Sequence, residues 1–465
     1  MNIKITAIAA GVALAASVST AYAFSFGEVW VGDQQDGKLY IFDQAELNDP
    51  SFDAVEDIID LTTLGGANST RMHLIGFTNH SGLNPNSRAH LAYLGGQMDI
   101  LKTNGGTHAP TLVDSLQVSS SSLHMCGGNP QNTEIACSSI GQKQLVKVSQ
   151  DPHGGDVHNI IGSYPLADLK IAKRVRPGTV ARDAIDSAIA DGILNGVPIC
   201  NNYSTNGKLL YVTVKGSPSG VLVLNSRNMK IRDAFAGTAV GCGLVNSKDG
   251  KYMWTNAGSK DPADDEKAYK FKFRHAYNNN KTGPVKTVDL PETAEEGGDV
   301  HGAQFAGIGG FFLWQVMRLD DDIHVIEPRS ARVVNTIDLE TDEVANPAAD
   351  VLDRSAFGTR MYASLRGAVP TTAITGNNDP TRTPGVMVLG TFFGYHGVQL
   401  KTEAILSGNV AEFCPEAVDG DGEDGDEHVH YELCGPRHPH YDEVIEADTA
   451  DPHGLKSLNY LSGGF

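Results

Sequence analysis

Lys208-Leu-Leu-Tyr-Val-Thr-Val214, a turn at Lys215-Gly-Ser-Pro-Ser219, then Gly220-Val-Leu-Val-Leu-Asn225: two short runs of β-branched and aromatic residues joined by turn formers read as one antiparallel hairpin. The unit recurs along the chain. Glu28 to Gly32 pairs with Lys38 to Asp43, His90 to Leu94 with Gln97 to Leu101, and Glu134 to Ser138 with Gln144 to Val148. Lys251 to Thr255 pairs with Ala268 to Phe273, Phe311 to Val316 with Asp322 to Glu327, and Thr371 to Thr375 with Gly385 to Leu389. Seven such hairpins predict an all-β, seven-bladed propeller forming one domain over residues 24–465.

Six hairpins are preceded by a segment suited to the inner strand of the same blade: Met72 to Phe77, Leu123 to Cys126, Ile199 to Tyr203, Gly241 to Val245, Val300 to Phe305 and Arg360 to Leu365. The first hairpin lacks one, and Asp451 to Tyr460 is placed to supply it from the other end of the chain. Closing the ring removes exposed sheet edges, which is why this pairing is expected. Insertions at about 150–197 and 408–450 interrupt the repeat. The first carries a helical pattern from Val180 to Ala190, expected as a surface excursion on the third blade.

The repeats resemble those of the YVTN/lactonase-like group of seven-bladed propellers. The resemblance is carried by Pro452-His453-Gly454, Val300-His301-Gly302, Gly207-Lys208-Leu-Leu-Tyr211-Val212, Gly250-Lys251-Tyr252 and Lys38-Leu-Tyr-Ile-Phe-Asp43. It implies the fold and leaves activity open, since the group holds lactonases, metal and quinone oxidoreductases and plain binding proteins.

Residues 1–23 read as an export signal, with Lys4, an apolar stretch from Ile5 to Val18 and the small-x-small pattern at Ala21-Tyr22-Ala23. A periplasmic or secreted protein without a membrane span is expected. The 36 Lys and Arg against 56 Asp and Glu give a net charge of −20, which makes nucleic acid an unsuitable partner. Six cysteines in an exported chain favour three disulfides, although spacing alone leaves 15 connectivities open. Cys126 and Cys137 are expected to face each other across two antiparallel strands, Cys200 and Cys242 to tie neighbouring blades, and Cys414 and Cys434 to bracket an acidic loop. None forms a Cys-x-x-Cys-His motif, so no c-type haem is expected. A phosphate-binding loop, a Gly-x-Ser-x-Gly elbow and a His-Glu-x-x-His motif are also missing from the sequence, and no bound nucleotide is expected.

Aligning the inner-strand segments puts His73, His124, Cys200, Cys242, His301, Tyr362 and His453 at one level of the channel, where converging neutral imidazoles suit copper, zinc or iron. A second candidate is the segment from Cys414 to Cys434, which holds eight acids, no Lys or Arg, and His428-Val-His430-Tyr431, a pattern that returns just beyond it as His438-Pro-His440-Tyr441. In extended backbone each His-x-His offers two nitrogens on one side. The Asp of the repeated Asp-Val-His strings, Asp156-Val-His158 and Asp299-Val-His301, is placed to orient the imidazole that follows. The leading functional expectation is therefore an exported propeller binding copper or zinc, for periplasmic metal handling or metal-dependent redox chemistry. The alternatives are a metal-free module recognising a small molecule, a periplasmic protein or a polymer, and a lactonase-like hydrolase using channel carboxylates. The sequence does not decide whether the protein is an enzyme.

Overall fold

The computed structural model describes residues 27–459 apart from 79–86, 259–266, 292–298, 368–383, 416–430, 434–444 and shorter stretches of one to three residues. Seven four-stranded antiparallel sheets form the propeller ring. Each starts at the channel and meanders outward. Blade two is typical, with Met72–Thr78 innermost, then Arg88–Tyr93, Gln97–Lys102 and Thr111–Gln117. The other inner strands are Leu123–Gly128, Val197–Tyr203, Val245–Asn246, Val300–Ala306 and Ala349–Arg354 in blades three to seven.

Blade one is closed as expected. Its inner strand is Pro452–Asn459, paired antiparallel to Gly27–Asp33 with Val31 opposite Leu455 and Glu28 opposite Leu458. The signal segment 1–23 lies outside the described residues. No helix among the described residues is long and apolar enough to cross a membrane.

Because every blade is sandwiched between two others, its middle strands are buried on both faces, and the apolar runs are nearly continuous. Trp30, Trp254 and Trp314 occupy the second strand of blades one, five and six, and each is fully buried against a neighbouring blade. Burying one Leu, Ile or Val side chain is worth about 1.5–3 kcal/mol, so the interfaces between blades provide the main cohesion.

Two readings are corrected by the structure. Arg360–Leu365 is the second strand of blade seven, not its inner strand, and it pairs directly with Gly385–Gly390. The expected strand at 371–375 lies outside the described residues. Tyr362 is thereby removed from the channel: it is buried between blades seven and one, with its hydroxyl donating to Asn48 Oδ1 at 3.0 Å. The sequence misplaced it because a long connection separates the second and third strands of this blade. The helix Val180–Ala190 is present as expected, but Ala181, Ile185 and Ala188 seat it on blade four, against the outer strand Lys230–Ala236.

Residues 410–415, 431–433 and 445–448 form a separate three-stranded sheet between the last strand of blade seven and the closing strand. The acidic run at 416–430 lies outside the described residues, as do His428, His430, His438 and His440 and the side chains of the expected Cys414 and Cys434 pair.

Candidate metal centre in the channel

The starts of the inner strands meet at one end of the channel, and in six of the seven blades the inner strand is irregular at that level. In blades one, two and three the pairing register slips by one residue at His453, His73 and His124, making each histidine the extra residue of a β-bulge. In blades four, six and seven two residues face one across the same slip, and these pairs contain Cys200, His301 and Asp350. A bulge turns its extra residue out of the ordinary alternation, and here the side chains converge on the channel. The polar groups freed by the bulge are satisfied locally. The Cys200 amide donates to Thr213 Oγ1 at 3.1 Å and the Val351 amide to Ser364 Oγ at 3.1 Å. In blade six, Gln315 Nε2 donates to the Gly302 carbonyl at 2.8 Å.

Seven blades thus present His453, His73, His124, Cys200, Cys242, His301 and Asp350. Sequence alignment had identified six of these positions, and Asp350 replaces Tyr362 in the seventh. A signal for Asp350 was available in the short apolar segment Ala349 to Leu352, ahead of the Gly358 turn. Gly302 shows why glycine follows His301: a Cβ there would lie 2.3 Å from the Asp350 carbonyl oxygen, so only glycine lets the two inner strands approach.

The four imidazoles form one cluster. Ring centroids are 4.1 Å apart for His73 and His124, 4.2 Å for His73 and His453, and 6.0 Å for His301 and His453. The Nε2 atoms of His73 and His453 lie 3.3 Å apart, with the two rings tilted by 33°. Their Nδ1 atoms are engaged elsewhere: His73 Nδ1 meets Gln34 Nε2 at 2.6 Å, and His453 Nδ1 is paired with Asp350 Oδ2. The other Asp350 oxygen takes His301 Nδ1 at 2.6 Å. One carboxylate therefore faces the Nδ1 of two histidines, and the tautomer with the proton on Nδ1 leaves Nε2 a lone pair; Arg366 also approaches His453 Nδ1, at 3.0 Å.

Behind this carboxylate lie two buried guanidiniums. Arg318 donates to Asp350 Oδ1 at 2.8 Å and to Asp299 Oδ2 at 2.6 Å. Arg366 donates to Asp350 Oδ2 at 3.2 Å and to Asp451 Oδ1 at 2.5 Å. These two guanidiniums and three carboxylates sum to 2 − 3 = −1. Burial would raise the Asp350 pKa, but His301, His453, Arg318 and Arg366 outweigh it and hold the carboxyl well below its usual range. Burial, reinforced by neighbouring imidazoles, pushes His73 well below the ordinary histidine value and His124 down to about 3. Burial also lowers His453.

The Asp of the Asp-Val-His strings does not orient the imidazole that follows it. Asp299 is bound to Arg318, and His301 is instead held by Asp350 from the next blade. Asp156 pairs with Arg88 at 2.9 Å, while His158 Nδ1 lies 3.4 Å from Asp114. An arginine nearby in space outcompetes an imidazole for a carboxylate, and sequence spacing does not reveal it.

His124 points its Nδ1 at the Cys200–Cys242 disulfide, 3.4 Å from one sulfur and 3.7 Å from the other. This bond ties the inner edges of blades four and five. The other described disulfide, Cys126–Cys137, joins directly opposed residues of blade three, with Cα atoms 4.0 Å apart. Above the histidines the channel opens into a cavity of about 690 Å³, whose walls are the seven inner strands.

No family model matches the chain, and no curated protein matches it in sequence. Among solved structures it is similar to dihydro-heme d1 dehydrogenase NirN in complex with DHE, at 11% identity and a TM-score of 0.48, covering 82% of this chain and 74% of that one. It is also similar to the Cps50 (Swd1) beta-propeller domain from Myceliophteria thermophila, at 13% identity and a TM-score of 0.44, covering 74% of this chain and 94% of that one.

Proposed function

We propose that this protein is an exported, periplasmic or secreted propeller whose channel binds one transition-metal ion, copper or zinc, in metal handling or metal-dependent redox chemistry. The observation that carries this reading is the close approach of the His73 and His453 Nε2 atoms, 3.3 Å apart. Two imidazole nitrogens at about 2.0–2.1 Å from one tetrahedral ion lie roughly 3.3 Å apart. An ion at this point replaces the proton shared by His73 and His453, and the Gln34 amide turns its oxygen to His73 so that Nδ1 carries the hydrogen. His301, held by the same carboxylate as His453, lies farther off, its ring centroid 6.0 Å from that of His453. His124 completes the ring. A second ion on the acidic loop, through His428, His430, His438 and His440, belongs to the same proposal.

The test is elemental analysis of protein purified without chelator, followed by copper and zinc titration at pH 7.5. Wild type should take up an ion at the channel that the His73→Ala/His453→Ala double variant does not, whereas replacing His428, His430, His438 and His440 by Ala should leave that ion in place. No uptake by folded wild type, or the same uptake by the double variant, overturns the reading.

A metal-free recognition module is favoured by a different observation. Ile308, Phe311, Phe357 and Phe393 are more than half exposed on the connections of blades six and seven, near the wide end of the channel. Specific binding of a protein or polymer by metal-free protein, lost on replacing Phe311 and Phe393 by Ser, would support it. The resemblance to the YVTN/lactonase-like group bears on both readings equally.

A further inference from the structure

Among the described residues, the Cys200–Cys242 disulfide lines the channel with both sulfurs close to the His124 imidazole. We propose that its reduction creates a second ligand set, Cys200 Sγ, Cys242 Sγ and His124 Nδ1, for a soft or borderline cation such as Cu(I) or Zn²⁺. The thiol–disulfide state of the channel would then govern which ion it holds. This goes beyond the imidazole site, which needs neither sulfur.

Three facts support it. A thiolate at about 2.3 Å and an imidazole nitrogen at about 2.0–2.1 Å from a tetrahedral ion are separated by roughly 3.6 Å. The two sulfur-to-Nδ1 distances, 3.4 and 3.7 Å, bracket that value, so His124 already stands where a ligand would. On reduction the sulfurs need to part to roughly 3.8 Å, and the two Cα atoms are 5.2 Å apart. Cys242 is partly exposed and lies ahead of the short strand Val245–Asn246, in the wall of the cavity, so a small dithiol can reach it. By contrast, Cys126 and Cys137 are both buried within blade three.

The chemistry balances as ordinary exchange with a dithiol reductant. Its thiolate attacks Cys242 Sγ, forming a mixed disulfide and releasing the Cys200 thiolate. The second thiol of the reductant then closes its own disulfide and releases the Cys242 thiolate. Two electrons pass from the dithiol to the protein. Loading the cation displaces the remaining thiol protons, and thiolates select softer ions than imidazoles alone.

The experiment uses the whole protein under anaerobic conditions with Co²⁺ as the probe, before and after dithiothreitol treatment and its removal. Reduced wild type should show a thiolate-to-cobalt charge-transfer band in the near ultraviolet, saturating at one ion per chain, and the oxidised protein should lack it. Cys200→Ser/Cys242→Ser should lose the band, and Cys126→Ser/Cys137→Ser should keep it. His124→Ala should weaken Co²⁺ binding by the reduced protein at least tenfold. No charge-transfer band in reduced wild type, or a band unchanged in Cys200→Ser/Cys242→Ser, overturns the proposal. A band in reduced protein with no metal uptake by oxidised protein refutes the imidazole site and supports this one, and metal uptake only by the oxidised protein does the reverse.

Discussion

Replacing Asp350 by Asn changes one oxygen for an amide at the centre of the channel and separates the two roles of this residue. In stability terms the carboxylate accepts from Arg318, Arg366, His301 and His453. The asparagine keeps a single acceptor oxygen. Removing one partner of a buried ion pair typically costs about 3–5 kcal/mol because it strands the other charge. Here neither guanidinium is stranded, since Arg318 retains Asp299 and Arg366 retains Asp451. The loss is then two or three charge-assisted hydrogen bonds against relief of the carboxylate's desolvation, and we expect about 3 kcal/mol. In binding terms the cluster charge goes from 2 − 3 = −1 to 2 − 2 = 0, and only one of His301 and His453 keeps an acceptor for its Nδ1–H. Loss of such an orienting partner lowers metal affinity about 10- to 100-fold. Urea unfolding followed by the fluorescence of buried Trp30, Trp254 and Trp314 measures the first effect, and zinc calorimetry on the folded variant at pH 7.5 measures the second. Zinc affinity within twofold of the parent would refute the role assigned to Asp350 in positioning the ligands.

Truncation before Asp451 removes the inner strand of blade one together with His453, and the truncated chain should lose its cooperative melt; a parent-like melting curve would refute ring closure as a source of stability. Burial pushes the Asp321 carboxyl up to about 7, against a hydrogen bond from the Ala348 amide at 2.7 Å. Because its folded pKa exceeds the unfolded one, its stabilisation is complete below about 3.8 and is lost as pH rises through about 7. Asp321→Asn keeps the acceptor and should stabilise the protein at pH 8 by on the order of 3 kcal/mol but not at pH 4, as read from urea midpoints. His124 has the opposite sign: its folded pKa of about 3 lies below the ordinary histidine value of 6.5, so stability is present above 6.5 and is lost as pH falls toward 3. Relative to His124→Gln, metal-free wild type should therefore weaken between pH 6.5 and 4, and a constant difference across that range would contradict neutral burial. Cys126→Ser/Cys137→Ser opens a loop with a sequence separation of 11 and should cost about 3 kcal/mol without altering channel metal binding.

The repeat was legible in the sequence because local physics writes it there. Hairpins such as Lys208 to Asn225 are specified by β-branched residues and turn formers close in the chain, and the His-Gly pairs mark inner strands at His301 and His453. The helix from Val180 to Ala190 was readable for the same reason, from apolar residues three or four apart. Ring closure was legible too, because the first hairpin lacked an inner strand and the last segment had no other partner. Tertiary structure alone decided what local pattern cannot carry. Which strand of blade seven faces the channel depends on pairing across a long connection, so Asp350 was missed and Tyr362 put in its place. Which carboxylate holds which imidazole depends on charges brought together from distant blades. Asp299 was taken by Arg318, and His301 and His453 both turned to Asp350, a residue 49 positions after the first and 103 before the second. Periodicity records a residue's own element, whereas electrostatic partnership is settled only when seven elements converge on one axis.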